Sequence, residues 1–181
     1  EIIQTGKNRF YAGGYNYFFN IDSEESFYMI LNNDTIVDSD ILKNMIDGVN
    51  RYGKDNIYGP RIMLAKDKNK IWYAGGKVNL SKGIIRHANI KKDFRALDLS
   101  DSLTDYITGC CIFAHSSLIS RLSGFDESFK MYMEDVDLCL RANSLGIKSY
   151  FLNDPFLYHH VSQTVSNKIF KIIRSYIKLS I

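Results

Sequence analysis

Apolar and polar positions follow two periods along the chain, and the switches between them lay out its elements. Phe27-Tyr28-Met29-Ile30-Leu31 is a short, wholly apolar run before polar residues, the pattern of a buried strand. From Ser39 to Tyr52 the period lengthens. Ile41, Leu42, Met45, Ile46 and Val49 form one stripe and Ser39 can cap it, so a helix is predicted. Asn56 to Leu64 reads as a second strand, with Pro60 arguing for an edge or a bulge. Trp72-Tyr73-Ala74-Gly75-Gly76 opens a glycine-punctuated stretch to about Ile90, a hairpin or irregular loop, and Lys91 to Ser102 reads as loop. Asp105 to His115 is a strand region broken at Thr108-Gly109, followed by a short helix from Ser116 to Leu122 and a turn at Ser123-Gly124-Phe125-Asp126. Glu134 to Leu145 is a helix with Leu138, Cys139, Ala142 and Leu145 inward and Gly146 as its stop; Ile147 to Leu152 returns as a strand. Such alternation predicts a mainly parallel α/β sheet, whose ligands sit beyond the carboxyl ends of its strands. That directs attention to the end of Phe27–Leu31 and to the surroundings of Glu134.

Composition narrows the picture without redirecting it. The 181 residues, 45% hydrophobic and 24% charged, suit one globular domain. A net charge of +3 is too small a bias to argue for nucleic acid, and no apolar run reaches the roughly eighteen residues of a membrane span. Cys110, Cys111 and Cys139 have neither disulfide nor zinc spacing, so they read as buried, reduced residues of a cytoplasmic protein.

Three segments carry chemistry. Leu31-Asn32-Asn33-Asp34-Thr35 gathers oxygen-bearing side chains at a strand end, where they can hold a hard divalent cation and, through it, a diphosphate. The same residues are an ordinary turn signal. In Phe125 to Arg141, Glu134, Asp135 and Asp137 fall in the first turn of a helix, which the macrodipole favours. The apolar approach from Phe129 to Met133 adds something else, because apolar surroundings raise a carboxylate's pKa and make it a better base. In Tyr158-His159-His160, neighbouring histidines of a strand point to opposite faces, so at most one faces a site.

Taken in order, these segments resemble glycosyltransferase family 2, in particular its rhamnosyltransferase-like and galactofuranosyltransferase-like branch. The resemblance rests on Tyr11-Ala12-Gly13-Gly14-Tyr15-Asn16, Leu31-Asn32-Asn33-Asp34-Thr35, Thr108-Gly109-Cys110-Cys111, Gly124-Phe125-Asp126-Glu127, Met133 through Arg141, and Tyr158-His159-His160. It implies a GT-A fold over residues 1–165: a Rossmann-like, nucleotide-diphospho-sugar transferase α/β sheet flanked by helices. It also implies an inverting, metal-dependent transfer of sugar from a UDP- or dTDP-sugar to a glycan or lipid-linked acceptor hydroxyl in polysaccharide or cell-envelope assembly. In that reading Asp34 and His159 bind Mn2+ or Mg2+, Asn32 stands where the family's first aspartate is often found, and Asn32 and Asn33 contact the donor. Asp135 is the general base and Glu134 its neighbour, orienting acceptor or base, with the reversed assignment left open. Gly13, Gly14 and Asn16 match the turn and helix start that close around the donor nucleotide; Thr108 and Gly109 line the donor–acceptor junction. Asp137 pairs with Arg141 as a structural element.

Family members usually begin with a strand-helix-strand segment, and Glu1-Ile2-Ile3 matches a point near its end, so the first nucleotide-binding strands are expected to be missing. This motivates the alternative of a catalytically silent remnant or glycan-binding module. A nucleotidyltransferase of similar core is a third reading. Residues 166–181, with Lys168, Lys171, Arg174 and Lys178 among apolar positions, read as an amphipathic basic helix. It packs on the domain or touches the inner face of an anionic membrane.

Overall fold

A computed structural model describes residues 2–21, 25–129 and 132–161. The expected helix over 166–181, and the domain boundary at 165, lie outside the described residues, as do Lys130 and Met131 of the acidic segment.

The chain begins with helix α1 (Phe10–Ile21), strand β1 (Phe27–Leu31), the short strand β2 (Thr35–Val37), helix α2 (Ile41–Tyr52) and strand β3 (Ile57–Leu64). Strand β4 (Asp67–Tyr73) follows, then a separate hairpin of β5 (Gly76–Asn79) and β6 (Ile84–His87). Next come β7 (Ser102–Leu103), β8 (Cys111–His115), α3 (Ser116–Arg121), α4 (Glu134–Ser144) and the long β9 (Ser149–His159). One sheet runs β1-β8-β3-β9-β2, with β4 added to β3 and β7 to β9.

The mainly parallel pairing expected from the alternation is corrected. Among the described residues only β3 and β9 are parallel neighbours; β8 is antiparallel to both β1 and β3, and β2, β4 and β7 also pair antiparallel. The strands that alternate with the long helices, β1, β3 and β9, do share one direction. Strand β8 inserts between the first two; β4 returns on β3 through a tight turn, while β2 and β7 both pair with β9 from much earlier in the chain. The carboxyl ends of β1, β3 and β9 therefore lie along one edge of the sheet, with Leu31 paired to Cys111 and Leu64 to His159. That edge carries the site.

Pro60 lies in the interior of the sheet, at a bulge: Pro60 is opposite Leu152 but Arg61 is opposite Phe156, so β9 loops out between them. The predicted strand at 147–152 therefore resumes past the bulge and continues to His159. Three other corrections follow from where the core lies. Helix α2 buries Ile41, Met45 and Val49 but leaves Leu42 57% and Ile46 41% exposed, and Asp40 rather than Ser39 is its N-cap, without a side-chain bond. Leu145, placed inward by periodicity, is 57% exposed beyond the end of α4. Strand β1 buries only Tyr28 and Ile30 closely, since among the described residues it pairs with β8 alone.

The core between sheet and helices is built on Met45, Tyr58, Tyr73, Ile107, Leu138 and Phe151, all essentially without solvent contact. Tyr73 keeps its hydroxyl satisfied there by donating to the Tyr106 carbonyl at 2.6 Å. The three cysteines are buried and unbridged, and burial pushes each thiol up, so they stay protonated.

Candidate active site

The turn Thr108-Gly109-Cys110 is the hub of the site. On one side the Cys110 carbonyl accepts the Asn32 N–H at 3.0 Å, tying the turn to the end of β1. On the other side the Gly109 N–H donates to Asp135 Oδ2 at 2.7 Å, tying it to the start of α4. The Gly109 carbonyl accepts the Tyr11 hydroxyl at 2.6 Å. A Cβ at Gly109 would stand 2.9 Å from that hydroxyl oxygen and 3.6 Å from Asp135 Cβ, so a side chain here would displace the bonded groups. Thr108 is buried and closes the turn itself, its carbonyl accepting from Cys111 N at 3.2 Å.

Asp135 is held by two backbone donors, since its Oδ1 accepts the Val136 N–H at 2.8 Å. Burial raises its pKa, and the N–H bonds and the nearby His87 oppose that rise. Glu134 is buried at 6% exposure, with Oε2 bonded to nothing among the described residues. Burial pushes its carboxyl up to about 7, with the Asp135 charge adding to the effect. The macrodipole therefore does not explain Glu134, because a carboxyl placed only to offset helix charge would lie in water. Asp137 does have the structural role expected, pairing with Arg141 at 2.7 Å, while Arg141 also donates to the Leu122 and Gly124 carbonyls.

The Asn-Asn-Asp segment forms the turn that its residues signal. Thr35 Oγ1 donates to the Asn32 carbonyl at 2.8 Å, which closes the turn, and Asn33 is exposed. Beyond it Asp34 Oδ1 lies 3.2 Å from His159 Nε2, and the Asp34 carbonyl accepts the His160 N–H at 2.9 Å. His159 is 7% exposed while His160 faces solvent, as strand alternation requires. The His159 ring is pushed down by burial and pulled back by Asp34.

A divalent cation fits Asp34 and His159 only as a shared guest. Among the described residues no group of three His, Cys, Asp or Glu side chains is placed to hold a metal by itself. Two facing protein ligands suit Mg2+ or Mn2+ when diphosphate oxygens and water complete the shell. His159 Nδ1 is buried without a described partner, so the ring's orientation rests on Asp34 and on Trp72, whose ring stands edge-on at 4.4 Å.

Gly13, Gly14 and Asn16 lie elsewhere than expected. Helix α1 starts at Phe10, so the glycines fall within it and not at its entry. Asn16 Nδ2 donates to the Phe125 carbonyl at 2.8 Å and to Glu127 at 3.0 Å, and its Oδ1 accepts the Phe125 N–H at 2.9 Å. Both amide protons are engaged in bracing the 124–127 turn against α1. The part of α1 that reaches the site is aromatic: Tyr11 bonds Gly109, and Tyr15 donates to the Leu31 carbonyl at 3.1 Å.

Sequence reasoning missed His87, at the end of β6. Its ring stands edge-on to Trp72 at 4.6 Å and shares electrostatic coupling with both Asp135 and His159. Only its polarity against the apolar Ile84-Ile85 before it offered a signal.

The sheet edge thus carries a carboxylate–histidine pair at one strand end, joined through the Gly109 turn to an acidic pair at the start of α4. Residues 28–175 match the family model described as glycosyl transferase family group 2, and the chain belongs to that family. It is 31% identical over 77 residues to rhamnosyltransferase WbbL of Escherichia coli K12, a stretch covering 40% of this chain and 28% of that protein. It is 34% identical over 64 residues to the N-acetylglucosaminyl-diphospho-decaprenol L-rhamnosyltransferase of Mycobacterium tuberculosis, covering 35% and 21% respectively. The chain thus matches less than a third of the length of either relative. The fold is GT-A: 87% of the chain superposes on 32% of a crystal structure of GalNAc-T7 with UDP, GalNAc and Mn2+, with a TM-score of 0.69 at 10% identity. No helix among the described residues is long and apolar enough to cross a membrane.

Proposed function

We propose that this chain transfers a sugar from a nucleoside-diphosphate donor to a hydroxyl of a glycan or lipid-linked acceptor, inverting the anomeric centre. The observation that carries the reading is the turn at Gly109, which fixes Asp135 on one side and the Asp34 strand end on the other through two backbone bonds. A leaving diphosphate and an incoming hydroxyl need such a pair of stations on opposite sides of one carbon.

Asp135 takes the proton from the acceptor hydroxyl as that oxygen bonds to the anomeric carbon. The bond from that carbon to the diphosphate oxygen breaks, and its electron pair leaves with the nucleoside diphosphate. Attack from the far side inverts the centre. Asp34 and His159 would hold a divalent cation, which when bound neutralises charge on the departing diphosphate. Glu134, its carboxyl raised to about 7 by burial, orients the acceptor or Asp135 and in its neutral form adds no second charge. The family assignment and the rhamnosyltransferase relatives support the transfer. The neighbour that holds UDP and Mn2+ supports the nucleotide and the cation.

Calorimetric titration of UDP and dTDP with and without Mn2+ tests this. One of the two is expected to bind in a manganese-dependent way, and Asp34→Ala is expected to weaken it at least about tenfold, the cost of a lost charge-assisted contact. Absence of binding by the well-folded protein, or binding indifferent to Asp34, would count against the reading.

A further inference from the structure

The glycine-punctuated stretch forms a hairpin, one of the two readings its sequence allows; it is tightly anchored and ends on a histidine. Gly76 pairs with His87, Ala88 N donates to the Gly75 carbonyl at 2.8 Å, and Thr104 Oγ1 accepts from Gly76 N at 2.6 Å. The Val78 N–H is held by Asp105 at 2.9 Å. Gly76 admits no side chain, because a Cβ there would stand 2.1 Å from the Tyr106 ring. The backbone at His87 is therefore fixed, and its ring sits among aromatics: Trp72 at 4.6 Å, Tyr73 at 5.2 Å and Tyr106 at 6.1 Å between centroids.

That surrounding dictates the ring's chemistry. His87 Nδ1 lies 3.1 Å from the Trp72 carbonyl, which can only accept, so Nδ1 carries the proton. Burial disfavours the charged ring, leaving Nε2 as a bare acceptor with no hydrogen bond among the described residues. A histidine that merely filled the core would be expected to bury and satisfy both nitrogens. His87 is only half-buried. Trp72 stands edge-on both to this ring, at 4.6 Å, and to the ring of His159, at 4.4 Å, and the charges of Asp135 and His159 both act on His87.

An acceptor that shares the Trp72 ring with His159 needs a ligand that donates. Phosphate oxygens do not donate; sugar hydroxyls do. We infer that His87 is a specificity residue of the transferase site, its Nε2 accepting a hydrogen bond from a ring hydroxyl of the sugar being transferred. This rests on the donor reading above, which places that sugar between Asp135 and the Asp34–His159 pair. The Trp72 carbonyl fixes the tautomer, and the hairpin anchors fix the reach.

The test compares free nucleotide with sugar nucleotide. Affinities of dTDP, UDP, dTDP-L-rhamnose, UDP-galactose and UDP-N-acetylglucosamine are measured by calorimetry for the unaltered protein, His87→Ala and His87→Gln. Glutamine can restore an acceptor near the position of Nε2. Thermal melts of all three proteins confirm folding. His87→Ala is expected to leave free-nucleotide affinity unchanged and to weaken the preferred sugar nucleotide roughly three- to tenfold, the worth of one hydrogen bond. His87→Gln is expected to recover most of that loss. Equal weakening of free nucleotide and sugar nucleotide, or no change in either, would overturn the assignment while leaving the donor reading intact. An alanine variant that does not fold leaves the glutamine variant to decide: sugar selectivity close to that of the unaltered protein supports the assignment, and its loss overturns it. If the unaltered protein binds none of the five, the donor reading itself fails and the assignment falls with it.

Discussion

Replacing Asp135 with asparagine is expected to lower sugar transfer by roughly 10²–10⁴-fold, the usual contribution of a positioned general base, with nucleotide affinity little changed. The two effects separate because the proposed mechanism puts the acceptor at Asp135 and the diphosphate at Asp34 and His159, across the Gly109 turn. Asparagine is close in shape, yet it supplies one oxygen where aspartate supplies two. Either the Gly109 or the Val136 N–H therefore loses its acceptor, and the turn is loosened as well as the base removed. Steady-state kinetics on the preferred donor, with nucleotide titrations beside them, check both parts. Burial raises the Asp135 pKa, so the unaltered protein is expected to lose activity on acidification above the usual aspartate range, and the variant to show no such limb. Equal losses in rate and in nucleotide affinity would show that Asp135 holds the donor instead.

Glu134→Gln is expected to stabilise the protein in alkaline solution and to leave it unchanged in acid. The unfolded chain ionises this residue near the ordinary glutamate value of 4.5, whereas the folded chain does so only at about 7. Preference of the folded state for the neutral acid is thus complete below the unfolded value and is lost as pH rises through the folded one. At pH 8 the unaltered protein carries a buried charge whose Oε2 has no partner among the described residues. Such a group costs about 1–3 kcal/mol, and glutamine does not ionise, so the melting temperature at pH 8 is expected to rise by roughly 2–10 °C. At pH 4 the two proteins are expected to melt together. Melting curves across that range decide it, and an equal difference at both ends would show that ionisation of Glu134 is not the cause.

Much of this arrangement is legible in the amino-acid sequence. The apolar run at β1, the stripe of α2 and the acidic opening of α4 each follow a period that local chemistry sets, and Asp137 to Arg141 is readable as an i+4 pair. Asp34 could be placed because it closely follows a strand end, and His159 because alternation allows only one of two adjacent histidines to turn inward. Other features depend on partners far along the chain. Asn16 carries the same amide whether it meets a nucleotide or, as here, the backbone of Phe125 109 positions away. Leu42 and Ile46 belong to the apolar stripe by angle, but of that stripe the tertiary packing covers only Ile41, Met45 and Val49. The antiparallel insertion of β8 between β1 and β3 is a matter of topology that strand-helix alternation does not express. His87 was hidden for a similar reason, since nothing in Ile84-Ile85-Arg86-His87 announces that the hairpin delivers its last residue beside Trp72.

Anomalous diffraction at the manganese edge, from crystals grown with Mn2+ and whichever of UDP or dTDP binds, tests most directly where the donor diphosphate lies. A manganese peak shared by the Asp34 carboxylate, His159 and the diphosphate, with Asp135 facing the open side, is the expected result. A nucleotide bound away from Asp34, or a manganese peak touching neither Asp34 nor His159, would contradict the proposed site.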